Sequence, residues 1–361
     1  MWLKSALLGI TALMILGLMP AEEIVDGRRS VVLQGEDARL VLDILGGSIV
    51  SFELNEQRLN PLRWANDGPP DRIRGMSHFL CLDRWGPPSE AERANGMRQH
   101  GEKVEWQVQE ESGSSARMSA VLPMAGLRVE RNVEVAKDGT WFHVSETVTN
   151  QNPLGRVYNI VQHATIGQPF LDESVVVDSN ATKGFAQGGS LPTPEEPSAL
   201  WPMAPRADGP VDIRRLATDP KPDVVSYVID EDIGWVTASN AGKGLLLGYI
   251  WETEEYPWLN LWRRVDNGVP TARGLEFGST GLHQPFPALV KKGFIWERPL
   301  VQFLDAAEGQ TRSYVGFLAK IPEGYQGVDD IVYENGELTL IERGGGSRIQ
   351  LSMPSRISPE R

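Results

Sequence analysis

The sequence ARLVLDILGGSIVSFEL, residues 38–54, decides the fold class. Apolar residues stand at positions 38, 40, 42 and 44, and the pair Gly46-Gly47 then interrupts the pattern before a second apolar stretch over 49–54. A period of two is typical of a strand with one face in a core, and two consecutive glycines suit a bulge or a tight turn. The stretch therefore predicts two consecutive β-strands.

Strands and turns of this kind continue along most of the chain. The dipeptides Asp138-Gly139 and Asn335-Gly336 each separate two strand-like stretches, which is the pattern of a β-hairpin. Helical periodicity is almost absent, and only residues 89–95, rich in Glu and Ala, predict a short helix. Residues 180–223 are dense in proline and glycine, and we interpret them as a long irregular loop whose place would be over a cleft. The chain is predicted to be all-β with few short helices.

The first 21 residues have the features of an export signal. Lys4 precedes an apolar run over 6–19, and Pro20-Ala21 then gives way to two glutamates. A retained anchor is the alternative, but a run of about fourteen residues is shorter than the roughly twenty that span a bilayer. We expect cleavage after Ala21, one domain over 22–361 without a membrane span, and a periplasmic or extracellular location.

Charge and composition exclude several classes of function. The net charge of −13 disfavours nucleic acid and anionic membranes, which bind basic patches, and makes a neutral or cationic small molecule the easier ligand. Cys81 is the single cysteine, and between two leucines it is expected to be buried and inert. The five histidines lack zinc-motif spacing, and no Gly-x-Ser-x-Gly elbow is present, so we predict neither a metal nor another cofactor.

Three short segments, far apart in the chain, each place a proton-transferring side chain near glycines. They contain His100, His163 and Glu276. Two histidines and a glutamate at strand ends supply the parts for acid/base chemistry without a cofactor. The segments are therefore the candidate active site, although a structural role for each residue is the competing interpretation.

The remaining histidines and the aromatic residues divide into candidates for the site and candidates for the core. His283 follows Glu276 closely enough to line the same pocket, whereas His78 and His143 lie in strand patterns and are interpreted as structural. Most of the eleven tryptophans are expected to pack in the core, and two or three to face a ligand, because flat aromatic rings stack on sugar rings. In an extended segment 258–262, Trp262 shares a sheet face with Trp258.

The order of these motifs resembles the aldose 1-epimerase (galactose mutarotase) superfamily, over roughly residues 30–320. The motifs that carry the resemblance are Gly46-Gly47, His100-Gly101 followed by Trp106, the strand 144–148 ending at Asn150, then His163 and Glu276. The resemblance implies a β-supersandwich, two large antiparallel sheets packed face to face, with a sugar site on the concave sheet. It implies a small carbohydrate as partner and no cofactor.

The resemblance also implies roles for individual residues. His163 would be the general acid at the sugar ring oxygen, Glu276 the base at the anomeric hydroxyl, and His100 a hydrogen-bonding group near that oxygen. The second histidine is followed here by Ala164-Thr165 and not by the aromatic pair of the classical mutarotases. For the arginine that helps to bind substrate, Arg74 and Arg84 are candidates by their order alone.

Ring opening of a hemiacetal has requirements that are independent of any family. The anomeric hydroxyl loses a proton while the ring oxygen gains one, so we expect the acid and the base on opposite sides of one sugar ring. Partial desolvation of Glu276 by Leu275 and Phe277 is expected to raise its pKa.

Two other functions stay open. A carbohydrate-binding protein without catalysis on the same fold would keep the aromatic residues. A lyase or hydrolase acting on a uronic acid polymer would predict a cleft lined by Arg and Lys, which the acidic composition supports little.

Overall fold

The computed structural model describes residues 23–69, 71–216 and 223–358. The predicted export signal lies outside these ranges. The strands, in chain order, are β1 Glu23–Val25, β2 Arg28–Gln34, β3 Ala38–Asp43, β4 Ile49–Leu54, β5 His78–Asp83, β6 Gln107–Glu111, β7 Ser115–Leu122, β8 Leu127–Val135, β9 Trp141–Asn150, β10 Arg156–Ile166, β11 Val176–Ser179, β12 Ala181–Ala186, β13 Ser198–Leu200, β14 Met203–Ala204, β15 Val211–Asp212, β16 Asp223–Ile229, β17 Ile233–Asn240, β18 Leu245–Glu252, β19 Trp258–Asp266, β20 Val269–Gly278, β21 Phe294–Ile295, β22 Arg298–Pro299, β23 Gln302–Leu304, β24 Gly309–Lys320, β25 Val328–Glu334, β26 Glu337–Glu342 and β27 Arg348–Ser352. The prediction of an all-β chain is confirmed.

Two large antiparallel sheets form the body of the fold. The twelve-stranded sheet has the order β1-β2-β3-β4-β5-β10-β20-β19-β16-β12-β13, with β23 joined to β10. The eight-stranded sheet has the order β11-β17-β18-β24-β9-β8-β7-β6. Smaller sheets are formed by β14-β15, β21-β22 and β25-β26-β27. Strands β5, β10, β20 and β19, which carry the candidate site, are consecutive neighbours in the larger sheet.

The core lies between the two large sheets. Phe52 of β4 meets Phe142 of β9 edge to face at 4.8 Å between ring centroids, and Phe277 of β20 stacks on Trp251 of β18 at 4.4 Å. The three-stranded sheet packs on the far face of the eight-stranded sheet, where Leu338 joins a second apolar cluster. The expected face-to-face sandwich is confirmed, and the outer face of the twelve-stranded sheet carries the candidate site.

Local sequence signals match the observed turns and helices. Residues Asn335 and Gly336, with φ of 52° and 78°, connect β25 to β26 as the hairpin signal predicts. Helix α1, Glu90–Ala94, begins after Ser89, which forms a reciprocal capping box with Glu92. The second helix is α2, Phe286–Lys292. In the described part of the chain, no helix has the length and apolarity needed to cross a membrane.

The interpretation of residues 180–223 as an irregular loop is wrong in part. The segment contains β12 to β15, and β12 pairs with β16 while Phe185 is fully buried. Most of these strands are only two or three residues long, so local proline and glycine content concealed them. Residues 217–222 are outside the described ranges.

Candidate active site

Three neighbouring strands bring the predicted proton-transfer residues together. His163 on β10 is directly opposite Glu276 on β20 and, on its other side, opposite Phe79 on β5. Directly opposite residues of antiparallel strands point to the same face. The neighbours of Glu276 in sequence, Leu275 and Phe277, point the other way into the core between the sheets. His163 and Glu276 therefore share the outer face of the twelve-stranded sheet.

The side chains of His163 and Glu276 are in direct contact. Nε2 of the imidazole is 3.1 Å from Oε1 of the carboxyl group, and the two side chains are only 5% and 1% exposed. Nε1 of Trp85 donates to the other carboxyl oxygen at 2.7 Å, and Oγ1 of Thr165 lies 2.9 Å from Nδ1 of His163. A Cβ atom on Gly274 would lie 2.7 Å from Oε1, so this position without a side chain leaves room for the carboxyl group.

Burial moves the pKa values of this pair in opposite directions. It raises the pKa of Glu276 to about 8, against the opposing effect of the Trp85 hydrogen bond. It lowers the pKa of His163 well below the usual value, and the neighbouring His100 and Lys103 act in the same direction. Both shifts favour the uncharged forms. Near neutral pH the carboxyl group of Glu276 therefore keeps its proton, and the imidazole of His163 is neutral and able to act as a base. This resting state is the reverse of the one that the resemblance implies.

Two expectations about the pair are wrong. His163 and Glu276 do not face each other across a space for a sugar ring, because their 3.1 Å contact closes that space. Leu275 and Phe277 do not desolvate the carboxyl group, because side chains alternate along a strand and these two lie in the core. The Trp85 indole, on the same face, contacts the carboxyl group instead.

Aromatic rings form the walls around the pair. Phe79 stacks on the His163 ring at 4.1 Å between centroids, and Trp262 stands 5.8 Å from it. Trp64 extends this wall, 5.3 Å from Trp262 and 6.5 Å from Phe79. Trp258, on the same face as Trp262, is fully buried in a separate apolar cluster. The site therefore contains Trp64, Trp85 and Trp262, whereas Trp106, Trp235, Trp251 and Trp258 are buried in apolar clusters.

The other two candidate histidines lie beside the pair. The His100 ring is 5.3 Å from the His163 ring, and Nε2 of Gln99 lies 3.0 Å from Nε2 of His100 and 3.1 Å from Nε2 of His283. His283 packs edge to face on Trp85 at 4.8 Å. Burial lowers the pKa of His100 well below its usual value and that of His283 to about 4. Both rings are therefore neutral near neutral pH.

The two candidate arginines have different surroundings. Arg74 lines an open cavity of about 410 Å³ together with His100, and its Nη1 donates to the carbonyl oxygens of Asn66 and Gly68. Arg84 is buried and ion-paired, with Nε 2.7 Å from Asp83 and Nη1 2.9 Å from Glu92 of α1. The guanidinium of Arg84 thus joins β5 to α1, whereas Arg74 is placed beside the site.

Sequence reasoning missed two residues of the site, Lys103 and Trp64. Lys103 donates to the carbonyl oxygens of Leu80 and His100, and its ammonium group lies 4.6 Å from the centre of the Phe79 ring. Burial lowers the pKa of Lys103. Its position three residues after His100 was an available signal. Trp64 gave none, because its partners in the site are distant in sequence, whereas Trp85 stands before the turn Gly86-Pro87-Pro88, where a tryptophan can face a ligand.

The two histidines interpreted as structural lie away from the site, whereas Cys81 packs in one cluster with Phe79 and Trp85. His78 points into the core, where its Nε2 is 3.2 Å from Oε1 of Gln162 and burial lowers its pKa to about 3. Nε2 of His143 is 2.7 Å from the carbonyl oxygen of Ile357. Cys81 is fully buried, which raises its pKa. Among the described residues, no group of three or more His, Cys, Asp or Glu side chains is arranged to hold a metal ion.

Comparison with known proteins shows the fold. No protein-family model matches the chain, and no curated protein matches its sequence. Among solved structures, a galactose mutarotase related enzyme from Lactobacillus acidophilus is similar, with 12% identity and a TM-score of 0.61 over 81% of this chain and 98% of that one. A galactose mutarotase-like protein from Clostridium acetobutylicum has 13% identity and a TM-score of 0.60 over 83% and 98%. One from Lactobacillus casei has 13% identity and a TM-score of 0.56 over 80% and 100%. The chain has the mutarotase-like fold.

Proposed function

We propose that this protein catalyses acid/base opening and closing of the ring of a reducing sugar, and so interconverts its anomers. The observation that carries the proposal is the 3.1 Å contact between Nε2 of His163 and Oε1 of Glu276, two buried proton-transfer groups on the outer face of the large sheet. Support comes from similar structures named as galactose mutarotase related or mutarotase-like, which have the same fold.

The proton transfers balance over one cycle. The anomeric hydroxyl gives its proton to Nε2 of His163, the carboxyl group of Glu276 gives its proton to the ring oxygen, and the bond between the anomeric carbon and that oxygen breaks. The indole N–H of Trp85 stabilises the carboxylate that forms. After rotation of the open-chain aldehyde, closing reverses both transfers, and the pair returns to its starting state.

Substrate binding has to separate the pair. The hydroxyl and the ring oxygen of the sugar would replace the 3.1 Å contact by two hydrogen bonds, one to each side chain. Trp262 and Trp64 provide flat surfaces on which the sugar ring can stack.

Anomeric exchange measured by NMR tests the proposal. For a panel of reducing sugars, the wild type should accelerate exchange, and Glu276→Gln and His163→Ala should each lose about 10²- to 10⁴-fold of that acceleration. His143→Gln, on the other sheet, is the matched control and should keep it. Retained acceleration in folded Glu276→Gln would contradict the proposal.

A second candidate is carbohydrate binding without catalysis. It is favoured by the closed contact and by the 1% exposure of the Glu276 side chain, since neither proton carrier is open to a ligand in this conformation. Sugar binding without acceleration of anomeric exchange by the wild type would select this function.

We also propose that the protein is exported, with residues 1–21 as its signal. The support is the sequence of the apolar run alone. The mass of the protein recovered after expression with its leader should correspond to a chain that begins at Glu22. A recovered chain that still begins at Met1 would contradict cleavage.

A further inference from the structure

A second cavity on the same sheet concentrates positive charge. It has a volume of about 450 Å³ and lies between the outer ends of β2, β3 and β4 and the segment 58–77. Five arginines and two carboxylates line it, in a chain whose net charge is −13. The arginines are Arg28, Arg39, Arg58, Arg63 and Arg74. The local field in this cavity therefore differs in sign from that of the chain as a whole.

Several of these guanidinium groups are free to bind a ligand. Arg28 is held by Asp43 at 2.9 Å, and Nε of Arg58 is 3.8 Å from Glu53. In contrast, Arg39 and Arg63 have no hydrogen-bond or ion-pair partner among the described residues. Nε of Arg74 is buried without a hydrogen-bond partner in the same part of the chain. An unsatisfied buried donor in a native fold calls for a partner, and an anion would supply one.

The arginine-lined cavity adjoins the candidate active site. Arg74 lines both this cavity and the one beside His100. Trp64 lines the arginine cavity and also contacts Trp262, which stands against His163. In the order of the sheet, β4 is separated from β10 only by β5, a distance of about 10 Å at the spacing of strands. The two cavities are therefore neighbours on the outer face of the large sheet.

We infer that the arginine-lined cavity binds the acidic group of a saccharide. The planar forks of Arg39, Arg63 and Arg74 suit the oxygens of a carboxylate, sulfate or phosphate. The Trp64 ring beside them suits the sugar to which that group is attached. The net charge of the chain predicted a neutral or cationic ligand. Binding, however, depends on the charges of the residues that line the cavity, and here most of these are positive.

The inference concerns binding and does not require the proposed reaction. If the reaction occurs, an acidic sugar should be its preferred substrate, and only this consequence rests on the proposed function. Binding is therefore to be measured both in the wild type and in Glu276→Gln, so that a failure of catalysis leaves the binding result unaffected.

Calorimetric titration with four probes tests the inference. The probes are galacturonate, galactose 6-sulfate, galactose and inorganic sulfate. At least one of the two acidic sugars should bind ten times more tightly than galactose, and its affinity should fall as salt is raised. Preference for galacturonate would identify a carboxylate as the acidic group, and preference for galactose 6-sulfate would identify an ester.

Variants locate the binding. Arg63→Gln and Arg39→Gln should each weaken binding of the preferred acidic sugar about tenfold. Arg117→Gln removes a half-exposed arginine from β7 of the other sheet and should change nothing. The inference is overturned by equal affinity for galactose, by binding of neither acidic sugar, or by full affinity in both cavity variants. Inorganic sulfate that binds as tightly as the acidic sugars would also overturn it, since the site would then bind a free anion.

Discussion

Two buried glutamates, Glu146 of β9 and Glu276 of β20, contact opposite faces of strand β10 and have different partners. On the core side, Glu146 is ion-paired with Arg131 at 2.7 Å and accepts a hydrogen bond from Gln162 at 2.6 Å. On the outer side, Glu276 contacts the next residue along the strand, His163, and no cation lies within ion-pair distance in the described part of the chain. The first glutamate has a permanent positive partner, and the second has a partner that only becomes positive when it takes a proton.

This difference separates a structural carboxylate from a chemical one. A buried charge with a fixed counter-charge and satisfied hydrogen bonds stabilises one arrangement of side chains. A buried carboxyl group without a cation keeps its proton to higher pH, and the pKa of Glu276 is raised to about 8. The comparison predicts that changes on the core side affect folding, whereas changes on the outer side affect proton transfer.

The largest effect should come from breaking the core-side pair. Arg131→Met leaves Glu146 buried without its cation and removes the guanidinium from the Trp106 ring, 4.3 Å away. We expect a loss of about 3–5 kcal/mol in the free energy of unfolding. Urea denaturation measures it.

The matched variant on the outer side is Glu276→Gln, which removes no ion pair with an arginine or lysine. It should change the free energy of unfolding by less than about 1 kcal/mol, because a neutral amide replaces a carboxyl group that is already neutral. Equal losses for the two variants would remove the distinction between the two sides.

An effect that accumulates with each pH unit concerns acid stability and the core-side histidine. Burial lowers the pKa of His78 to about 3 in the folded chain, whereas in the unfolded chain it is about 6.5. Between pH 6.5 and pH 3, therefore, His78 is protonated in the unfolded chain and neutral in the folded one. The free energy of unfolding should therefore fall as pH falls through this window, by up to about 1.4 kcal/mol per pH unit from this group.

Denaturation curves at several pH values check this contribution. In His78→Phe the slope of stability against pH should be shallower than in the wild type, whatever the stability of the variant itself. An unchanged slope would mean that His78 takes up its proton equally in the folded and unfolded chains.

The smallest effect sharpens the outer-side assignment. Trp85→Phe removes the indole N–H that lies 2.7 Å from the carboxyl group and favours its ionised form. A hydrogen bond to a charged group contributes about 1.5 kcal/mol, which should raise the pKa of Glu276 by about one unit. If Glu276 supplies the acid, the alkaline limb of the rate of anomeric exchange should move to higher pH by the same amount.

Local sequence patterns were enough for the strands, the hairpin at Asn335-Gly336 and the helix after Ser89. Each of these depends on residues within a few positions of one another. His163 and Glu276 were found because glycines flank them, but their contact depends on strand register, which joins distant parts of the chain. Pattern alone cannot show register, and so the expected gap for a sugar ring was wrong.

The arginines show the same limit. By their order in the sequence, Arg74 and Arg84 were equally good candidates for the substrate-binding arginine. In the structure, Arg84 is ion-paired with Asp83 and with Glu92 of α1. Net charge gave no sign of the arginine-lined cavity, because it averages over a surface on which the acidic residues lie elsewhere. Short strands inside 180–223 were also missed, because β13, β14 and β15 have only two or three residues each, too few to show an alternating pattern.

Glu276 should hold a proton at neutral pH, because its carboxyl group is buried and no cation among the described residues lies within ion-pair distance of it. Infrared difference spectroscopy of the wild type against Glu276→Gln measures this directly through the stretching band of a protonated carboxyl group. We predict that the band is present at pH 6, disappears as pH rises through about 8, and is absent from the variant. A carboxyl group already ionised at pH 6 would contradict the account, because the pair would then lack its neutral acid.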